Sequence, residues 1–535
     1  MYPEYMIDSI KLVEASRKAR MANEPARMTA DEKADILAKY HPDYRDEGFD
    51  TIKLGPNAGQ KAPQELCDLL HSNSRLLGMD IDLARVDFDC DVLVIGGGGA
   101  GASAAIEAKT AGANVMIFTK LRMGDANSMM AEGGIQAADK ANDSPGQHYL
   151  DAFGGGHFAA KPELLRRLVM EGPGAISWLN NFGVMFDKNE SGEMVTTHGG
   201  GTSRKRMHAC ADYTGAEITR VLRDEVRSLG IPIIEYTAAL EIILDDKGQA
   251  AGAVLQNMLT GEIIIARAKV VIIATGGAGR MHYQGFPTSN HYGATADGLV
   301  LAYRLGANLL YQDTIQYHPT GVAYPAQLFG ALVTEKVRSL GALFANAAGE
   351  SFCHPLETRD VASSAVIREC AAGRGVKTAE GVGIWLDSPI IELIHGAGHI
   401  ERFVPGMHRM FMNYQIDMRK TPILVYPTFH YQNGGIEIED AGHTAKIHNL
   451  FVAGEAVGGI HGRNRLMGNS MLDIIVFGRH AGKNAAKMAQ DIAPGKPTLG
   501  HINDYADSLA ANNLATGQQS PMLFPNYVRD VNKNI

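Results

Sequence analysis

Residues 91–101, DVLVIGGGGAG, restrict the fold more than any other stretch of this chain. A short apolar run reads as a buried strand, and it ends in glycines rather than in a polar turn. Gly96, Gly98 and Gly101 are spaced G-x-G-x-x-G. The first glycine permits a tight turn, the second lets backbone approach a pyrophosphate, and the third allows close helix–strand packing. A helix is expected over 102–110, its N-terminal end, with Gly99 and Ala100 before it, turned to the phosphate charge. A second strand at 114–119 closes a β-α-β unit. The order strand, turn, helix separates this motif from a plain glycine turn. The chain therefore reads as α/β, with a dinucleotide-binding domain.

Two further apolar runs belong with it. Residues 269–274 lead into TGGAG, and 449–454 precede a helix expected from Ser470 onward. They lie far along the chain, so the domain is split around an insertion. Gly133 and Gly134, in MMAEGGIQAA, place backbone against a flat ligand, with another turn as the alternative. Thr275 and Gly276 open the ATGGAG cluster, where a structural turn also remains open. The acidic ribose ligand usual at the end of the second strand is missing, and Thr119-Lys120 stands there. This disfavours NAD and leaves room for FAD with other adenosine contacts.

A chain of 535 residues is too long for one core, so two or three domains are expected. The 60 glycines show no Gly-X-Y period, which excludes a collagen-like chain. A net charge of −9 without a basic footprint gives no sign of nucleic-acid binding. The cysteines, at 67, 90, 210, 353 and 370, form no C-x-x-C pair. That scatter fits a reducing compartment, and it does not supply the thiolates of an iron–sulfur cluster. No metal site is expected. The N-terminus lacks the features of a secretory signal, and no stretch approaches the ~20 apolar residues of a membrane span. A cytoplasmic protein is expected, reaching the inner face of a membrane only through partners. Residues up to Phe88 read as a helical prelude. Thr29 and Glu32 form a capping box, and Ile36, Leu37 and Tyr40 an apolar stripe. A packing role is expected for the prelude, with a partner-docking surface as the alternative. Residues 55–63 read as a loop, and those after Asp491 as a polar segment running over the surface.

Taken in order, the blocks IGGGGAG, TK, AEGGI, CADYTG, ATGGAG, TADG, YHPTG, LVTEKVR, TRDVAS, PTFHYQNGG, VAGEA and GRNRLMGNSMLD resemble the succinate dehydrogenase/fumarate reductase flavoprotein family. Its superfamily also holds L-aspartate oxidase. The blocks cover about three quarters of the chain. The resemblance implies a Rossmann-type FAD-binding domain with an inserted α+β capping domain and a helical N-terminal extension. The divisions expected are an extension at 1–88, FAD-binding parts at 89–312 and 430–487, a capping domain at 313–429, and a tail at 488–535. It further implies that Glu455 bonds the flavin ribitol, and that Ser128, Asp297, Ser470 and Met471 lie at FAD. Asp297 as a helix cap and Ser470 as an ordinary N-cap remain open. Many members that sit in membrane complexes carry a histidine, six residues before the first glycine of AEGGI, that bonds FAD covalently. Here that position is Asn127, so non-covalent FAD is expected, with a lean toward fumarate reduction.

Fumarate reduction needs two carboxylates held firmly, a hydride delivered from flavin N5 to one alkene carbon, and a proton added to the other. The carboxylates call for bidentate arginine. The resemblance gives the grip to His318, Thr334, His430 and Arg465, although a histidine met singly is more often structural. It gives the proton-donor role to Arg359. A guanidinium with a pKa above 12 serves as an acid only beside a far more basic, carbanion-like carbon, whose charge it also stabilises. Glu335 and Arg338, three residues apart on a helix face, match a relay returning the proton to Arg359; a surface ion pair is the alternative. Two departures stand out. Members commonly read R-G-E-G-G where this chain has Arg338-Ser339-Leu340-Gly341-Ala342, and Tyr431-Gln432-Asn433 differs from the respiratory enzymes. The expected function is the flavoprotein catalytic subunit of a fumarate reductase or succinate dehydrogenase, fed by a separate iron–sulfur subunit. The alternatives are an L-aspartate oxidase-like enzyme, whose flavour residues 198–212 carry, and a non-catalytic electron-transfer subunit.

Overall fold

The computed structural model describes residues 1–493, 495–514 and 517–525. The prelude opens with α1 (Glu4–Ala22), which buries Met6, Ile10 and Val13 at helical spacing. In α2 (Ala30–Tyr40) the Thr29 side chain accepts from the Glu32 N–H, and the Glu32 carboxylate accepts from the Thr29 N–H, completing the capping box. Ile36 and Leu37 are buried there, while Tyr40 is half-buried.

The β-α-β unit is present as β1 (Phe88–Ile95), α3 (Gly99–Thr110) and β2 (Val115–Phe118). The helix starts three residues before the expected position, because the last glycines of the motif form its first turn. Next come β3 (Ile233–Ile234), β4 (Thr237–Asp245), β5 (Ala250–Asn257) and β6 (Ile263–Ile273), so the run expected at 269–274 is the end of a longer strand. Strands β1, β2 and β3 continue in parallel from β6, whereas β4 and β5 join its other side antiparallel.

A second, antiparallel sheet follows. It is built from β7 (Ile315–Val322), β8 (Leu343–Ala345), β9 (Val382–Asp387) and β10 (Ile423–Gln432), in the order β7–β10–β9–β8. The short α4 (Lys336–Ser339) and the longer α5 (Arg359–Ala371) lie between these strands in sequence, and α5 packs against β7. The chain then returns to the first sheet, where β11 (Leu450–Val452) pairs in parallel with β6, and α6 (Asn469–Ala489) crosses α3.

The segment after Asp491 does more than cover the surface. Strand β12 (Pro497–Thr498) joins the edge of the first sheet at β4, and α7 (Gly500–Ala511) buries Ile502 and Leu509. Two apolar residues seven apart in a polar stretch are enough to seat one helical stripe. Residues 526–535 of the tail lie outside the described residues.

The prelude packs on the second sheet. Arg17 and Arg20 both reach the fully buried Asp387 carboxylate, at 2.9 and 2.5 Å. Asp43 accepts from the Ile315 N–H at 2.9 Å. Deleting one partner of a buried ion pair leaves charge uncompensated and costs about 3–5 kcal/mol. Asp387→Ala is therefore expected to destabilise the protein by about that amount in denaturant unfolding.

Candidate active site

The C-terminal ends of β1, β2, β6 and β11 open on one cleft of ≈ 1570 Å³, counting space open to solvent. Strand ends of this kind are where open α/β sheets take ligands. The β1–α3 turn brings Gly96, Gly98, Gly99 and Ala100 to its wall. Gly96 has φ +122°, and a Cβ on it would run into the Ala274 carbonyl. Gly101 does not line the cleft; a Cβ there would strike the Gly96 carbonyl, which is the close helix–strand packing expected of the third glycine.

Around this turn stand Thr119 and Lys120 from the end of β2, with Ser128, Gly133, Gly134, Thr275, Gly276, Asp297, Glu455, Ser470 and Met471. Lys120 is tied to Asp297 at 2.6 Å and to Thr295 Oγ1 at 2.8 Å, so its ammonium is held in place by protein groups. Ser128 Oγ accepts from the Gly99 N–H at 3.1 Å. Burial lifts the Glu455 carboxyl above its usual range, against the hydrogen bonds from the Gln432 N–H and the Asn127 amide. The lining fits FAD: the Thr275 hydroxyl and Glu132 Oε2 are buried on the cleft wall without a partner. A Cβ on Gly276 would project into open space there. Asn127, read from the sequence only as a replaced histidine, holds three neighbours. Its Nδ2 donates to Asn290 at 2.7 Å and Glu455 at 3.1 Å, and its Oδ1 accepts from the His291 N–H at 2.5 Å.

At the other end of the cleft the second sheet brings His318 on β7 and His430 on β10 within 5.1 Å, ring centre to ring centre. Burial, then the Arg359 charge, pushes both imidazoles well below their ordinary pKa, so both are neutral. Ser289 Oγ pairs with His430 Nδ1 at 2.9 Å. Thr334, Glu335, Arg359 and Arg465 also line the cleft. Arg359 opens α5 and donates from Nε to Glu335 Oε2 at 2.8 Å. Burial alone would raise the Glu335 carboxyl, but Arg359 and Arg338 hold it down to about 2. The Gly200 N–H adds a 2.5 Å bond to its other oxygen.

Arg338 stands behind Glu335 rather than on the cleft wall, at 3.1 Å, and donates to the Pro355 carbonyl. It is fully buried, so the surface ion-pair alternative does not hold. Arg465 stacks on the Tyr431 ring at 4.4 Å, and burial followed by Arg359 lowers its pKa to about 9.

The sequence reading missed Gln316. Its Oε1 accepts from Arg359 Nη1 and Arg465 Nη2, both at 2.9 Å. A signal was present, since residues two apart on a strand share a face and Gln316 precedes His318 by two. Three guanidinium groups, on Arg338, Arg359 and Arg465, stand against the one carboxylate of Glu335. The buried set therefore carries two uncompensated positive charges, matched to a dianion.

The FAD binding domain family matches residues 91–471. A fumarate reductase (CoM/CoB) polypeptide of Methanothermobacter marburgensis is 38% identical over 75% of this chain and 73% of that protein. The 8-methylmenaquinol:fumarate reductase flavoprotein subunit of Wolinella succinogenes is 33% identical over 78% and 68%. Among solved structures, the FrdA chain of E. coli quinol fumarate reductase superposes with a TM-score of 0.71 at 30% identity, covering 79% of this chain and 74% of that one. No described helix is long and apolar enough to cross a membrane. On these matches and this cleft, the chain belongs to the FAD-binding family of fumarate reductase and succinate dehydrogenase flavoproteins and is an FAD-dependent oxidoreductase.

Proposed function

We propose that this chain is the catalytic flavoprotein subunit of a fumarate reductase or succinate dehydrogenase, acting on a C4 dicarboxylate. The observation that carries the reading is the doubly positive, buried arginine set at one end of the cofactor cleft. Bound FAD supplies the two electrons, delivered as hydride from flavin N5. His318, Thr334, His430 and Arg465 grip the two carboxylates. Arg359 donates a proton to the second alkene carbon and stabilises the negative charge that develops there. Glu335, kept ionised by its two arginines, receives a proton from Arg338 and restores Arg359. Gly96, Gly98, Gly99 and Ala100 cradle the pyrophosphate, and Glu455 bonds the ribitol.

The two sheets support the division into FAD-binding parts at 89–312 and 430–487 and a capping domain at 313–429. A separate iron–sulfur protein brings the electrons, because the matched fumarate reductases are subunits by name and the cysteines here are scattered and free. Any contact with the inner face of a membrane runs through such partners. Anaerobic reduction of the purified flavoprotein, followed by reoxidation with a panel of unsaturated dicarboxylates, tests the reaction. Rapid reoxidation by fumarate is expected; hydrogen peroxide formation from aspartate without it would favour an L-aspartate oxidase.

FAD is held without a covalent bond, since an amide at Asn127 is not a nucleophile toward the flavin and is engaged with Asn290, His291 and Glu455. Acid precipitation should leave all the yellow flavin in the supernatant. Colour retained in the pellet contradicts this.

A further inference from the structure

Arg359 and Arg465 are held by one amide oxygen, and the orientation of that amide is set from outside the cleft. Gln316 offers Oε1 to both guanidinium groups. Its Nε2 donates to Asn464 Oδ1 at 2.9 Å and to the Arg465 carbonyl at 2.6 Å. Asn464 in turn spends its Nδ2 on the Gly155 carbonyl at 3.0 Å and on Asp360 Oδ1 at 3.2 Å. Asp360 Oδ2 meets His157 Nε2 at 2.7 Å. Asp360, Asn464 and Gln316 are buried, whereas His157 is 35% exposed, so the series runs from the protein surface to the arginine pair.

The series has a direction. A guanidinium only donates and an ionised carboxylate only accepts, whereas each amide has one accepting and one donating end. With a carboxylate at the outer end and two guanidinium groups at the inner end, each amide satisfies all its neighbours in one orientation only. A flip of either would set N–H against N–H in a buried site, at a cost of about 1–3 kcal/mol per unmet group. His157 is placed for this bond at φ +58°, a left-handed conformation that a non-glycine residue keeps only when its surroundings impose it. Burial by itself would raise the Asp360 carboxyl, yet the His157 hydrogen bond and charge hold it below its usual range, which keeps it an acceptor.

We infer that His157, Asp360 and Asn464 are positioning residues, which orient Gln316 and through it both the proton-donating and the substrate-gripping arginine. The inference rests on the proposed reaction for its kinetic consequence but not for its structural one. The test compares crystal structures and turnover of FAD-loaded wild type, Asp360→Ala and Asp360→Asn. Alanine removes the acceptor, while asparagine keeps an oxygen able to accept from Asn464. In Asp360→Ala the hydrogen bonds from Gln316 to Arg359 and Arg465 should open, with kcat for fumarate falling on the order of 10- to 100-fold, as displaced catalytic groups do.

Asp360→Asn should restore both the bonds and most of the turnover, a recovery that generic damage to the fold would not show. If Asp360→Ala yields no flavin-loaded protein, His157→Ala is read by the same two measurements. Unmoved arginines with wild-type turnover in the alanine variant would overturn the inference. Should wild type itself fail to reduce any dicarboxylate, the proposed reaction fails instead. The crystal structures then decide alone: arginines shifted in the alanine variant but not in the asparagine variant support the series, and arginines unshifted in both refute it.

Discussion

Arg359→Ala is expected to lower kcat for fumarate by about 10⁴-fold or more while FAD remains bound. Arg359 carries two functions at once, proton donation and stabilisation of the charge that develops as hydride arrives. General acids are worth about 10²–10⁴-fold and a charge-stabilising donor about 10²–10³-fold, so losing both exceeds either alone. The side chain lies at the start of α5, on the second sheet, while the glycine turns and Glu455 belong to the first. Cofactor content should therefore be preserved, which flavin absorbance per polypeptide checks. The variant also leaves Glu335 with Arg338 as its remaining guanidinium partner. Substantial fumarate reduction in this variant would remove Arg359 as the acid.

The second large effect is expected from Arg465→Lys, in affinity rather than in rate. Arg465 spans several partners at once: Gln316 through Nη2, the Leu466 carbonyl through Nη1, and the Tyr431 ring through its flat face. A compact ammonium reproduces neither the fork nor the stacking. Burial and Arg359 already depress the pKa of the guanidinium, and a lysine starting some two pH units lower would lose its proton in the same place. One of the two uncompensated positive charges then disappears. Charge-assisted hydrogen bonds of this kind are worth about 1.5–3 kcal/mol, so the dissociation constant for a dicarboxylate should rise about 10- to 150-fold. Titration of the oxidised flavin with a non-reacting dicarboxylate reads this directly. An unchanged constant contradicts the proposed grip.

Local pattern made much of this protein legible. The strand–glycine–helix signature located the cofactor turn, because its chemistry is confined to a few consecutive residues. The capping box at Thr29 and the i, i+3 pair Glu335–Arg338 were readable for the same reason. Gln316 was readable in principle from its strand spacing to His318, yet a glutamine carries no motif of its own. His157 and Asp360 were not readable at all. They stand 203 residues apart in sequence and meet only because the 154–160 loop folds against the segment around Arg463. The tail misled for the opposite reason: its polar composition hid the Ile502 and Leu509 stripe of α7.

The order of residues alone thus settled the fold class, the cofactor type and the arginines around which the site is built, since each depends on local spacing or on a recognisable block. Burial and distance settled the rest. Arg338 as an interior partner instead of a surface one, the neutrality of His318 and His430, and the surplus of two positive charges all follow from which groups lose water together. Desolvation is a property of the packed assembly of distant segments, and no single segment carries it.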